Sequence, residues 1–225
     1  MSETTSPAPA LGPDTGYDQH PEPDEPSSTT WVNRPYSPED EKSWLRCRAL
    51  AFLDTDYYDD VRRSRPAGPT LQLVAVAPGP DAADHDEVIG ILDIEIDGSL
   101  ATIDTIGVHP DHRRGGIADT LLAEGLRRLP PGIAVLDAWT REDAAAHAWY
   151  RANGFTESDH YLHVYKGWDE PPEGWKAPEP LRRPVMAFCH ADLANEAEIR
   201  DRFERVHVCR RFSRPVALDV PTLEP

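Results

Sequence analysis

The 225-residue chain has only three cysteines and two methionines, and its bases are outnumbered by its acids, 23 to 40. Three thiols, Cys47, Cys189 and Cys209, are too few to staple a chain of this length, so a disulfide scaffold is excluded and a reduced, cytoplasmic setting is expected. A net charge of −17 leaves little basic surface to neutralise phosphates, which argues against nucleic acid and against an anionic membrane face as partners. No apolar run approaches the ~20 residues that span a bilayer. The first residues show neither the basic start nor the apolar stretch of a secretory signal.

Proline, by contrast, is plentiful, with 23 residues, and it is unevenly placed. Residues 1–29 are rich in proline, serine and acids without apolar periodicity, and are predicted to form a disordered tail. Residues 30–190 read as one domain, with a long proline-rich loop inserted at 167–184. Residues 191–225 read as a helix–strand extension that either covers a sheet edge or mediates a homodimer.

Within the domain the apolar period switches between two and 3.6. Ser37-Pro38-Glu39-Asp40 is a helix start, with a capping serine, proline at the first helical position and acids in the first turn. Strands are expected at 70–76, 88–96 and 100–108, then a helix along Ile117, Leu121, Leu122 and Leu126. A strand at 133–139, a helix at 140–153 with Thr140-x-x-Asp143 as a capping box, and a strand at 155–166 follow. The tail of the chain offers a strand at 185–190, a helix at 195–206 and a last strand at 207–216. This order belongs to the α/β (α+β) class, a mixed sheet flanked by helices.

One stretch opposes the global charge. At Val108-His-Pro-Asp-His-Arg-Arg-Gly-Gly-Ile-Ala118 a strand ends, arginines and glycines follow, and an amphipathic helix begins. Small residues let a ligand approach the backbone, and free N–H groups at a helix start bind phosphate oxygens. The loop is neither a Walker A nor a dinucleotide fingerprint. Arg113-Arg-Gly-Gly116-Ile-Ala118 after Val108-His-Pro110 resembles the pyrophosphate-binding signature of the GNAT acetyltransferase superfamily. Ala144–Phe155 also resembles that family's later helix, which ends in Tyr followed after three residues by Gly-Phe.

The resemblance, over about residues 31–190, implies a mixed twisted sheet split into a V between two central strands, with acetyl-CoA in the opening. By position it implies that Arg113, Arg114, Gly115, Gly116, Ile117 and Ala118 hold the pyrophosphate. Backbone groups of Ile106 and Val108 would pair with the pantetheine arm, and Gly107 would form the bulge found there in the family. Tyr150 matches the family's general acid. A phenol with a pKa of ~10 is protonated at neutral pH and can serve a departing thiolate.

Asp104 is the best placed base, sharing a strand face with Ile106 and Val108 under strict alternation, with Asp93 and Glu95 as alternatives. Asp143 stands where the family often has Asn. An ionised Asp cannot donate to a cofactor carbonyl, so its role as a cofactor contact competes with a role as a helix cap. Acids and aromatics in Asp54–Asp60 and in 167–184 suit a cationic acceptor, a small molecule or a peptide bearing a primary amine. No metal is expected, because adjacent Cys189-His190 points to opposite strand faces and lacks ligand spacing. Two competing readings stay open: a non-catalytic CoA-binding or interaction module, and transfer of a longer acyl group.

Overall fold

The computed structural model describes residues 30–65, 68, 71–78, 86–170 and 173–216. The tail expected at 1–29 lies outside them, as do residues 79–85 between the first two expected strands and 171–172 in the proline-rich segment.

β-branched and aliphatic runs build a single eight-stranded sheet in the order β1-β2-β3-β4-β5-β8-β6-β7. β1 (Val32–Pro35) is a short edge strand that the sequence pattern does not announce. β2 (Leu71–Ala77), β3 (Glu87–Asp97) and β4 (Leu100–Val108) follow as antiparallel neighbours. Both faces of β2 are buried. Leu73 and Ala75 pack with α2 (Ile117–Arg128), while Val74 and Val76 pack with Trp44 and Cys47 of α1 (Glu41–Leu53). Burial on both sides explains a continuous apolar run in place of alternation. The expected start of α1 is present: a 3₁₀ turn at Pro38–Asp40 leads into it, and the Ser37 N–H donates to Asp40 Oδ2 at 2.8 Å.

β4 and β5 (Val135–Thr140) form the sheet's one parallel pair among the described strands. They are in register only from Leu100–Val135 to Ile103–Ala138. β4 runs on to Val108 and β5 to Thr140 without each other, and this divergence is the V-shaped split expected of the fold. The helix after β5, α3 (Ala144–Ala152), starts later than the sequence suggested. Thr140 closes the strand, and Asp143 is itself the cap, its Oδ1 accepting from the N–H groups of Ala145 and Ala146 at 2.8 and 3.1 Å.

Two corrections bear on the site. The first concerns the bulge. Asp93 pairs with Thr105 and Ile94 with Ile103, so the extra residue is Asp104, whereas Gly107 stays in register opposite Ile91. Gly107 is small for another reason: a Cβ there would lie 3.2 Å from the Ala51 Cβ of α1.

The second concerns the chain's last segment, read as an extension. Its strand, β8 (Arg205–Pro215), lies inside the sheet, antiparallel to β5 on one side and to β6 (Thr156–Lys166) on the other. A strand with neighbours on both sides neither covers an edge nor offers one to a second copy. The edge belongs to β7 (Ala187–Ala191), which pairs with β6 alone. α4 (Glu196–Arg202) is shorter than expected and packs through Ile199 on Leu162, Val164, Val206 and Val208.

Candidate active site

The split opens a cleft of about 650 Å³. Residues 103–108 of β4 form one wall. The end of α1 with the Asp54–Asp60 turn forms a second, and Trp139, Tyr161 and Cys209 of β5, β6 and β8 form the third. Two ends can be distinguished along it.

At one end the chain leaves β4 and makes a 3₁₀ turn at Pro110–His112 before α2. Arg114 and Gly116 both take positive φ, 66° and 81°, and Gly116 caps α2. A Cβ added to Gly116 would meet nothing within 4 Å, and one on Gly115 only the His112 carbonyl at 3.6 Å. Gly116 is thus required by its left-handed backbone, while the space over both glycines is open to a ligand. Beneath the loop Ile117 is buried against Gly90, whose missing side chain makes room for it. Arg113 turns back to α1, donating from Nη2 to the Ala51 carbonyl at 2.9 Å. It therefore ties the loop to the helix that forms the opposite wall.

Tyr150 projects from α3 at the middle of the cleft. Its ring is stacked on Phe212 at 5.4 Å and meets Phe155 edge-on at 5.3 Å, so packing fixes its direction. Among the described residues no group hydrogen-bonds its hydroxyl, and burial raises its pKa well above the ordinary phenol range. Asp104 lies in the β4 wall, held by the Thr105 hydroxyl at 2.8 Å and by Arg62 at 3.4 Å. Asp93, the alternative base, is fully buried and paired with Arg65 at 2.6 Å. Desolvation outweighs that pairing and pushes the Asp93 carboxyl up to about 6.

The far end is aromatic and unexpectedly basic. The carboxylates of the Asp54–Asp60 turn are largely committed: Asp56 to His207 at 3.4 Å, Asp59 to Arg205 at 2.9 Å and Asp60 to Arg48 at 2.6 Å. In their midst stands Arg141, 7% exposed. Its guanidinium donates to the Asp56 carbonyl, to the Tyr165 hydroxyl and to His163 Nδ1, and lies 4.2 Å from the centre of the Tyr57 ring. Burial, with the Arg141 charge beside it, drives the His163 pKa down to about 4.

Residues 81–157 match the family model for an acetyltransferase (GNAT) domain. Over that stretch the chain is similar to a GNAT acetyltransferase domain. Solved structures agree on the fold. The ribosomal-protein-S18-alanine N-acetyltransferase of Escherichia coli aligns over 87% of this chain and all of its own, at 15% identity and a TM-score of 0.51. Arabidopsis thaliana NAA60 bound to a bisubstrate analogue aligns over 84% of this chain and all of its own, at 16% identity and a TM-score of 0.53. The same protein with acetyl-CoA aligns over 83% of this chain and all of its own, at 17% identity and a TM-score of 0.50. Among curated protein sequences nothing matches the chain.

The residues singled out in the sequence separate into two groups. Asp104, Ile106, Val108, Arg113, Ala118, Asp143 and Tyr150 line the cleft. Arg114, Gly115 and Gly116 are exposed at its rim, and the Ile117 side chain is in the core. Segment 167–184, expected beside the acceptor, does not line the cleft among its described residues. Its Trp175 packs edge-on against Phe203 at 6.2 Å. The reason is topological: the strand that follows it is the edge strand β7, while β8 takes the place between β5 and β6.

Sequence reasoning missed Arg141, Trp139, Tyr161, His163 and Cys209 as cleft residues. Alternation would have put Tyr161 and His163 on one face of β6, but nothing local says which face meets the cleft. Among the described residues no helix is long and apolar enough to cross a membrane, and no cluster of ligating side chains could hold a metal ion.

Proposed function

We propose that the chain transfers an acetyl group from acetyl-CoA to a primary amine by direct attack. The observation that carries this reading is a single cleft joining an open arginine–glycine loop at a helix start to a buried phenol whose hydroxyl has no described protein partner. Acetyl-CoA supplies the activated thioester. N–H groups of Gly115–Ala118, with Arg113 and Arg114, receive its pyrophosphate, and the diverging end of β4 at Ile106 and Val108 offers backbone groups to its pantetheine arm. Asp143 remains the cap of α3 and contributes to the wall.

The amine must be neutral when it attacks. Asp104 receives its proton through water, which suits a carboxylate placed on a bulge and partly open to solvent. Tyr150 donates a hydrogen bond and then its proton to the departing sulfur. The proton that the acceptor nitrogen sheds on becoming an amide restores the phenol, so the balance closes. A raised pKa keeps Tyr150 protonated at neutral pH, the state the role requires.

The acceptor is a small molecule or peptide. Its ammonium is the cation for which Asp54 and the partly open Asp104 lie along the wall. The three cysteines are all free thiols, in keeping with a cytoplasmic location.

Coenzyme A release is measured against a panel of amines with the wild type and Tyr150→Phe. The expected loss in kcat for the variant is ~10²–10⁴-fold, the usual value of a positioned general acid, with coenzyme A affinity unchanged by calorimetry. Unaltered release would remove Tyr150 from the mechanism. Tight coenzyme A binding without release to any amine would favour a binding module.

A further inference from the structure

Three arginine side chains of this domain are more than nine-tenths buried: Arg48, Arg65 and Arg141. The first two each hold a carboxylate at 2.6 Å, Asp60 and Asp93. Arg141 has no ion-pair partner among the described residues; all its side-chain hydrogen bonds go to neutral acceptors, a carbonyl, a phenol and an imidazole. A buried charge without a counter-ion is costly. Lys166, also buried without one among the described residues, lies away from the cleft and is satisfied by the Gly167, Glu170 and Val185 carbonyls.

The surrounding groups do not supply one. Asp56 turns its carboxylate to His207 at 3.4 Å, and Asp59 turns its own to Arg205 and meets the Arg141 charge only at longer range, with no ion pair. On the strand side Glu142 is engaged by Arg200 and by the Val208 N–H, and Asp104 by Arg62. The imidazoles against Arg141 are those of His163 and His207, both of which burial and the neighbouring guanidiniums hold towards the neutral form. They neither cancel the charge nor compete for an anion. Arg141 also lines the cleft at its acceptor end, and its three bonds to fixed partners hold the planar fork in one orientation.

We infer that Arg141 is the anion subsite of the acceptor end, so that the acceptor carries a carboxylate as well as its reacting amine and is an amino-acid-like zwitterion. The inference rests on the acetyl-transfer reading for the word acceptor, but the anion subsite itself can be tested without turnover. The two ends of such a molecule suit the two charge types of the cleft. The ammonium meets Asp54 and Asp104 on the wall, and the carboxylate meets Arg141, the buried cation that lines the cleft without a carboxylate partner. Tyr57, Trp139 and Tyr161 line the space around it and suit an apolar or aromatic side chain.

The experiment has two arms. In the first, wild-type transfer is compared within matched pairs: phenylalanine with phenethylamine, and leucine with isoamylamine. The amino acid of each pair is expected to have the higher kcat/KM by on the order of tenfold or more, the usual worth of a charge-assisted pair. In the second, binding of N-acetylphenylalanine and of N-acetylphenethylamine is measured by calorimetry in the presence of coenzyme A. Neither compound has a titrating amine. The carboxylate-bearing compound is expected to bind at least tenfold more tightly, with the ratio falling towards one in Arg141→Gln and partly kept in Arg141→Lys. The wild-type comparisons need no variant, so a misfolded Arg141→Gln does not spare the idea.

Equal or inverse preference within the pairs, in transfer or in binding, overturns the anion subsite and leaves acetyl transfer standing. Carboxylate-dependent binding without transfer to any amine supports the subsite and removes the transferase reading.

Discussion

Phe212→Ala is the most direct probe of how the site is built. Phe212 sits on β8, in the segment whose place in the sheet the sequence did not reveal, and it is completely buried. Its ring stacks on Tyr150 at an interplanar angle of 12°, touches His147 at 5.2 Å and carries the Arg151 guanidinium at 5.5 Å. Removing it loses the transfer energy of a ring and leaves a cavity that the crowded strands β5 and β6 can close only in part. The expected cost is about 3–5 kcal/mol, a large share of the 5–15 kcal/mol typical of a domain. At roughly 2–4 °C per kcal/mol for a chain of this size, the melting temperature drops by about 6–20 °C.

Urea unfolding followed by tryptophan fluorescence reads the change, with Trp139 on β5 and Trp149 beside Tyr150 as reporters. Phe188→Ala on the edge strand, where the ring is 50% exposed, is the control and costs less than about 1 kcal/mol. Residual activity in Phe212→Ala falls further than stability alone explains, because Tyr150 loses the surface that aims its hydroxyl. Equal destabilisation by the two substitutions would contradict a central β8, and with it the account of how Tyr150 is held.

Two further outcomes follow from the packing and the charges. Gly90→Ala places a Cβ 2.5 Å from Ile117 Cγ2 and 3.1 Å from Leu121 Cδ1, so α2 must lift from the sheet. The expected cost is about 1–3 kcal/mol together with weaker coenzyme A binding, seen by thermal melting and calorimetry; an unchanged affinity refutes the link between this glycine and the loop. Asp93 titrates near 6 in the fold, above its ordinary value, so the folded state holds its proton where the unfolded chain has lost it. Its contribution is complete below pH ~4 and is lost as pH rises through 6, about 3 kcal/mol in all. The stability difference between wild type and Asp93→Asn therefore moves by that amount in favour of the variant between pH 4 and 7. Parallel curves for the two proteins rule this out.

Periodicity, capping and punctuation are local, and the elements that depend on them were legible. Ser37–Asp40 opens a helix, the glycines after Arg113 and Arg114 mark a ligand-approachable helix start, and Tyr150 falls before the glycine that ends its helix. The elements that the sequence misplaced are those whose role depends on pairing. A one-residue bulge at Asp104 carries no distinctive residue type, and it breaks the alternation that was used to align Asp104 with Ile106 and Val108.

What the sequence determined by itself was the α/β class and the arginine–glycine loop with its helix, because these are written within a few turns of chain. The tertiary structure decided that β8 enters between β5 and β6, that the described residues of 167–184 stay off the cleft, and that Arg141 lines it without a carboxylate partner. Those are relations between residues 20 to 150 positions apart, such as Arg141 with His163 and Arg205 with Asp59. Strand order and the balance of buried charge are settled by which edges and which ions meet on folding, and no local pattern encodes either one.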